Sequence, residues 1–206
     1  LRKGARVLML TAASPELCRH VLSAVGKDGH LTVLEPDADR AARVDRIEHP
    51  GLAVIVFRPE GPETFGQHDA LIACPATDPG WPMNVWSELA KHNLRLGGRL
   101  VIDLPGAPQC EAIETAWGDS TAPIEALEAW NGPGAGSIAR VLASDGLRAI
   151  EPQVATHLVT FASPHDAAIL TCVRLGLEHR FVDELQLALA KRFKTNDELE
   201  VLFRRT

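Results

Sequence analysis

"RVLMLTAASPELCRHVLSAV", residues 6–25, decides how the rest of the chain is read. Its first part is an unbroken apolar run, which suits a strand covered on both faces. Its second part puts Leu17, Val21, Leu22 and Val25 on one side of a helix at helical spacing. Ser14 stands where an N-cap belongs, Pro15 takes the first helical position, and Gly26 lies just past the end. The turn that joins strand to helix is Thr11-Ala12-Ala13-Ser14-Pro15, and it contains no glycine.

The same alternation continues outward. "ARVLMLT" (5–11), "HLTVLE" (30–35), "GLAVIVF" (51–57), "DALIAC" (69–74) and "RLVIDL" (99–104) read as strands. Helical patterns fall between them at 37–48, with Ala41, Val44 and Ile47 apolar, and from about 83 to 96, followed by a Gly97-Gly98 turn. This is the rhythm of a parallel α/β sheet. The loop "RPEGPETFGQ" and the segment "PATDPGWP" are rich in breakers. Residues 105–136 interrupt the rhythm and are too long for an ordinary connection, so they are expected to form an inserted or covering segment around the helical piece "CEAIETAW". A helix at 136–146, an extended stretch at 147–161, helices opening at Ser163-Pro164 and spanning 179–193, and a strand at 199–205 complete the chain. Residues 163–195 thus form a helical excursion before the last strand.

At 206 residues, with 46% hydrophobic and 23% charged side chains, one domain with one sizeable core is expected. No apolar run is long enough to span a membrane. A net charge of -6 argues against nucleic acid as a partner, because phosphate neutralisation needs a basic face. Cys18, Cys74, Cys110 and Cys172 lack metal-type spacing, and their apolar surroundings fit buried free thiols and a cytoplasmic location. Leu1 is not a methionine, which fits either an omitted leader or a piece of a longer chain.

Three stretches carry a family resemblance. "GARVLML" (4–10) stands as a first strand. "ELAKHNLRLGGRLVID" (88–103) matches a helix, a Gly-Gly turn and a fifth strand, with Leu96 where the family pattern has proline. "VLASDGLRAIEPQ" (141–153) with "VTFASPHDA" (159–167) matches a late helix, a sixth strand and a Ser-Pro helix start. In layout, over residues 4–205, the chain resembles class I S-adenosylmethionine-dependent methyltransferases, especially the small-molecule group around the ubiquinone and menaquinone enzymes. The resemblance implies a Rossmann-like methyltransferase fold. Its sheet would be mostly parallel and seven-stranded, with helices on both faces and a helical insertion before the last strand.

What the resemblance implies for the cofactor, S-adenosylmethionine, falls on particular residues. The turn residues Thr11, Ala12, Ala13 and Ser14 would line it. Glu35, followed by Pro36, stands where the family closes its second strand with an acid for the ribose hydroxyls; a carboxylate adjacent to the next helix's positive end is the other explanation of Glu35. Glu60 would approach the adenine, and Cys74 would line the sulfonium side. The family pattern has an acid inside the first strand and three glycines after it, and here those places hold Met9, Thr11, Ala13 and Pro15. Glycine permits positive φ and close backbone approach; a left-handed alanine costs about 1–2 kcal/mol, and proline cannot adopt that conformation.

Methyl transfer needs mainly in-line positioning, with a base only when the acceptor must lose a proton. Asp78, Asp103 and His157 are the candidates, and Trp81 and Trp130 could wall an apolar acceptor site. Two functions follow: methyl transfer to a small-molecule acceptor, or a catalytically inactive domain, alone or as part of a longer chain, that binds a protein partner or acts as a scaffold or regulatory module. A homodimer is compatible with either. A nicotinamide oxidoreductase is disfavoured, since pyrophosphate rests directly on a glycine turn, and a P-loop enzyme is excluded by the absent Gly-Lys-Ser/Thr run.

Overall fold

The computed structural model describes residues 1–12, 14–58, 63–74, 83–104, 110–123, 125–126, 135–148, 153–194 and 198–205. The opening stretch folds as its pattern dictates. β1 (Arg6–Leu10) buries every residue but its first, and α1 (Pro15–Val25) follows after the turn. Ser14 is extended, with its side chain accepting from the Leu17 N–H at 3.2 Å, and Gly26 closes the helix at φ 73°. β2 (His30–Glu35), α2 (Ala38–Asp45), β3 (Leu52–Val56), β4 (His68–Ala73), α3 (Met83–Asn93) and β5 (Leu94–Ile102) continue the alternation. α2 is shorter than its apolar spacing predicts. Asp37 caps its start by accepting from the Arg40 N–H at 2.8 Å, and Ile47 lies beyond its end.

The five strands form one sheet in the order β3-β2-β1-β4-β5, every pair parallel. Val7 and Met9 of β1, Leu31 and Val33 of β2, and Ala70 of β4 share one face, buried under Cys18, Val21, Leu22 and Val25 of α1 and Val44 of α2. Leu8, Leu10, Leu34, Leu71 and Ala73 alternate onto the other face and are equally buried. α1 and α2 cover the first face. α3 packs on β4 and β5, with Trp86, Leu89 and Ala90 buried.

One boundary differs from expectation. Gly97-Gly98 does not separate α3 from β5 but lies within β5. His68 pairs with Leu94 and Ala70 with Arg99, so the strand bulges between those pairs. Gly97 takes φ 79°, which a bulge can demand of glycine, and Leu96 stands fully exposed there.

The chain resolves into two compact units. The first comprises Leu1–Asp103 with Val141–Arg148, and the second Leu104–Arg140 with Ala149–Thr206. In the second lie α4 (Glu111–Gly118), α6 (Pro164–Leu175), α7 (Arg180–Phe193), β6 (Ala155–Phe161) and β7 (Leu199–Arg205), while α5 (Ala135–Ser144) runs across the division. Ser163 caps α6, its hydroxyl accepting from the Asp166 N–H at 3.2 Å and donating to Asp166 Oδ2 at 2.8 Å. The second core gathers Ile113, Trp117, Phe161, Phe181, Leu185, Leu189, Leu199 and Val201.

The α/β class and the Rossmann-like fold stand as expected, but the seven strands among the described residues divide into five and two. β6 and β7 form a separate antiparallel ladder, from Phe161↔Leu199 to Ala155↔Arg205. Alternating apolar residues show that each is a strand; only the choice of hydrogen-bonding partner decides which sheet it joins. Among the described residues, no helix is long and apolar enough to cross a membrane.

Candidate functional site

Strand order reverses direction at β1, which pairs with β2 on one side and β4 on the other, so β1 and β4 flank the topological switch point. In open α/β sheets ligands bind outside the carboxyl ends of the strands at such a point. The residues that follow those ends are Thr11 after β1, Glu35 at the close of β2, Cys74 after β4 and Asp103 after β5. Ala73 pairs with Leu10 and with Ile102, and the Asp103 N–H donates to the Ala73 carbonyl at 2.9 Å, so these termini are level.

Thr11 has φ 59° and is 1% exposed. The place where glycine was expected therefore keeps the left-handed backbone despite carrying a branched side chain. Its N–H donates to the Leu34 carbonyl at 2.8 Å, which ties the turn to β2. Met9 lies fully buried inside β1, so no carboxylate enters the crevice from that position.

Glu35 is the centre of the arrangement. Its side chain is wholly buried. Oε2 accepts from the Ala12 N–H at 3.2 Å; Oε1 accepts from the Asp37 N–H at 3.2 Å and from Arg40 Nε at 3.0 Å, with Arg40 Nη2 at 2.9 Å. The carboxylate thereby joins the first turn, the start of α2 and the Arg40 guanidinium. Arg40 is not legible as a site residue in the sequence. Glu35 and Arg40 lie on different elements, and no helical or strand period links them; the only hint was an arginine in the first turn of the helix following an acidic strand end.

Ser14 spends its hydroxyl on the α1 cap, and Pro36 is half-buried in the bend after Glu35. Cys74 is buried. Burial pushes the Cys18 thiol up to about 11, with Cys74 and Glu35 nearby adding to it, so Cys18 stays protonated and a poor nucleophile at neutral pH. All four cysteines are buried thiols outside any disulfide, as their surroundings implied. Asp103 is half-buried at the carboxyl edge. His157 lies in the second unit, exposed on β6 opposite Phe203. The structure thus sets Thr11, Ala12, Ser14, Glu35, Pro36, Cys74 and Asp103 along the carboxyl edge of the sheet, with Ala12 bonded directly to Glu35. Ala13, Glu60, Asp78, Trp81 and Trp130 lie outside the described residues.

The first unit also carries an open depression of about 470 Å³, lined by Arg19, Ser23, Arg46 and His49 among others. These residues come from the later turns of α1 and the stretch before β3, which places it toward the amino ends of the strands, away from the crevice. Among the described residues, no cluster of His, Cys, Asp and Glu is suited to a metal ion.

A carboxylate ends the second strand, and the turn beside it has left-handed backbone at Thr11. What the geometry adds is that the carboxylate is already engaged.

These strands and their switch point define a Rossmann-like fold, one that solved methyltransferases share. No protein-family model matches the chain, and no curated protein matches it in sequence. The chain is similar in structure to an S-adenosylmethionine-dependent methyltransferase from Mesorhizobium loti, at 14% identity and a TM-score of 0.50 over 99% of this chain and 92% of that one. It is likewise similar to an S-adenosylmethionine-dependent methyltransferase from Aquifex aeolicus, at 13% identity and a TM-score of 0.52 over 77% of each chain. A third similar structure is Aeropyrum pernix fibrillarin with natively bound S-adenosylmethionine, at 15% identity and a TM-score of 0.50 over 100% of this chain and 67% of that one.

Proposed function

We propose that this chain is an S-adenosylmethionine-dependent methyltransferase acting on a small-molecule acceptor. The observation that carries the proposal is Glu35 at the end of β2, directly hydrogen-bonded to the left-handed turn that follows β1. Glu35 would hold the ribose, Thr11, Ala12 and Ser14 would pass beneath the cofactor, and Pro36 and Cys74 would flank it. Bound there, the cofactor supplies an electrophilic methyl group. The chain's own task is to orient the acceptor and exclude water, since alignment supplies most of the acceleration. Asp103, at the same carboxyl edge, would take a proton from an acceptor that must lose one; Asp78 and His157 are the further candidates. Trp81 and Trp130 would bound the acceptor.

A second reading, a catalytically inactive methyltransferase-like domain that binds a protein partner, is favoured by one observation. Glu35 is buried and bridged to Arg40, as a purely structural carboxylate would be. Titration calorimetry with S-adenosylmethionine and S-adenosylhomocysteine separates the two. Micromolar binding supports the enzyme. No heat at millimolar ligand, with the protein folded, rejects it in favour of the binding domain.

A further inference from the structure

Glu35 is held in a way that leaves it unequal to a ribose. A carboxylate offers about four acceptor positions, roughly two on each oxygen. Three donors crowd Oε1: Asp37 N–H, Arg40 Nε and Arg40 Nη2. Oε2 takes the Ala12 N–H and, among the described residues, no second donor. A ribose diol brings two O–H donors and needs two positions, while this carboxylate has one to spare and no exposed surface through which to offer it.

Something must give before a diol can engage, and the burial says which group. The Glu35 side chain is 0% exposed and fixed by backbone on both sides, whereas the Arg40 side chain is 31% exposed and reaches water. The backbone of Arg40 is secured separately, because its N–H donates to Asp37 Oδ1 at 2.8 Å. Release therefore involves side-chain rotation and leaves α2 in place.

We propose that Arg40 is a latch on Glu35. It satisfies the buried carboxylate when the crevice holds no ligand, and it gives up at least one hydrogen bond to Oε1 when a ribose diol binds. The inference rests on the reading of Glu35 as the ribose acceptor, and it makes Arg40 a positioning residue that sets affinity for diol-bearing ligands. The cost of release falls only on those ligands, so an analogue without the diol is indifferent to Arg40.

The test uses Arg40→Gln and Arg40→Lys beside the unaltered protein. Each is titrated by calorimetry with S-adenosylhomocysteine, adenosine and 2′,3′-dideoxyadenosine, and urea unfolding checks that each is folded. Removing a competing charge-assisted hydrogen bond corresponds to about tenfold in affinity. Arg40→Gln is expected to bind S-adenosylhomocysteine and adenosine about tenfold tighter, with dideoxyadenosine unchanged. Arg40→Lys keeps the charge but cannot place two nitrogens of a planar fork on one oxygen, and an intermediate gain of about threefold is expected. If Arg40→Gln does not fold, Arg40→Lys decides the matter by the same comparison. Equal or weaker adenosine binding by a folded variant, or an equal gain for dideoxyadenosine, overturns the latch while leaving ribose binding intact. Failure of the unaltered protein and every folded variant to bind any of the three at millimolar concentration overturns the ribose reading itself, and the latch with it.

Discussion

Thr11 offers a direct test of the turn that defines the crevice. At φ 59°, any residue with a Cβ pays a left-handed penalty of about 1–2 kcal/mol. Glycine escapes that penalty but loses more backbone freedom on folding, roughly 0.5–1 kcal/mol relative to alanine. Comparing Thr11→Gly with Thr11→Ala isolates the conformation, because both remove the same buried hydroxyl and methyl groups and differ only in the Cβ. At this position glycine should be the more stable of the pair by roughly 0.5–1 kcal/mol, from the difference of those two effects. In a strand or helix the same pair favours alanine by a similar amount, so the sign of the difference reports the backbone. Urea unfolding of both variants measures it, and a thermal midpoint difference of about 2 °C should accompany it for a chain of this length. An alanine variant as stable as the glycine variant, or more so, would mean that Thr11 is not left-handed and that the turn follows another path.

Burial holds His68 below the ordinary histidine range, while its Nδ1 lies 2.9 Å from the Gly66 carbonyl. The unfolded chain thus takes up the proton first, near pH 6.5, so stability is present above that pH and declines as the pH falls through it; urea unfolding from pH 5 to 8 should show this rise with pH, and His68→Gln should flatten it. In the second unit, Leu189 on α7 is fully buried, and Leu189→Ala should cost about 3 kcal/mol, measured by the same unfolding; a loss under about 1 kcal/mol would contradict the packing of that core. With all four thiols buried and Cys18 raised to about 11, an aromatic disulfide reagent at pH 7.5 should label the protein only on unfolding. Rapid labelling of the folded protein would refute that burial.

Much of the first unit was legible in the sequence because its signals are local. Ser14, Pro15 and Gly26 bracket α1 through their own backbone preferences, and the apolar runs of β1, β2 and β4 announce strands covered on both faces. Other features stayed hidden because they depend on partners distant in sequence. Gly97-Gly98 looks the same whether it ends a helix or opens a bulge; the ladder with β4 made it a bulge. Glu35 is singled out in the sequence by a family resemblance and does close β2, but its engagement by Arg40 is not legible there.

By itself, then, the sequence determined which segments would be strand or helix, though not where α2 ends or β5 begins, since periodicity and caps act within a few residues. It also placed a carboxylate at the end of β2, next to a turn without glycine. Tertiary structure decided that β6 and β7 pair with each other and that Thr11 takes a left-handed backbone. It also decided that Glu35 is closed off by Arg40. The reason is the same in each case. Hydrogen-bond partners, imposed backbone strain and desolvated charge are properties of groups brought together across the fold, and no one of those residues carries them alone.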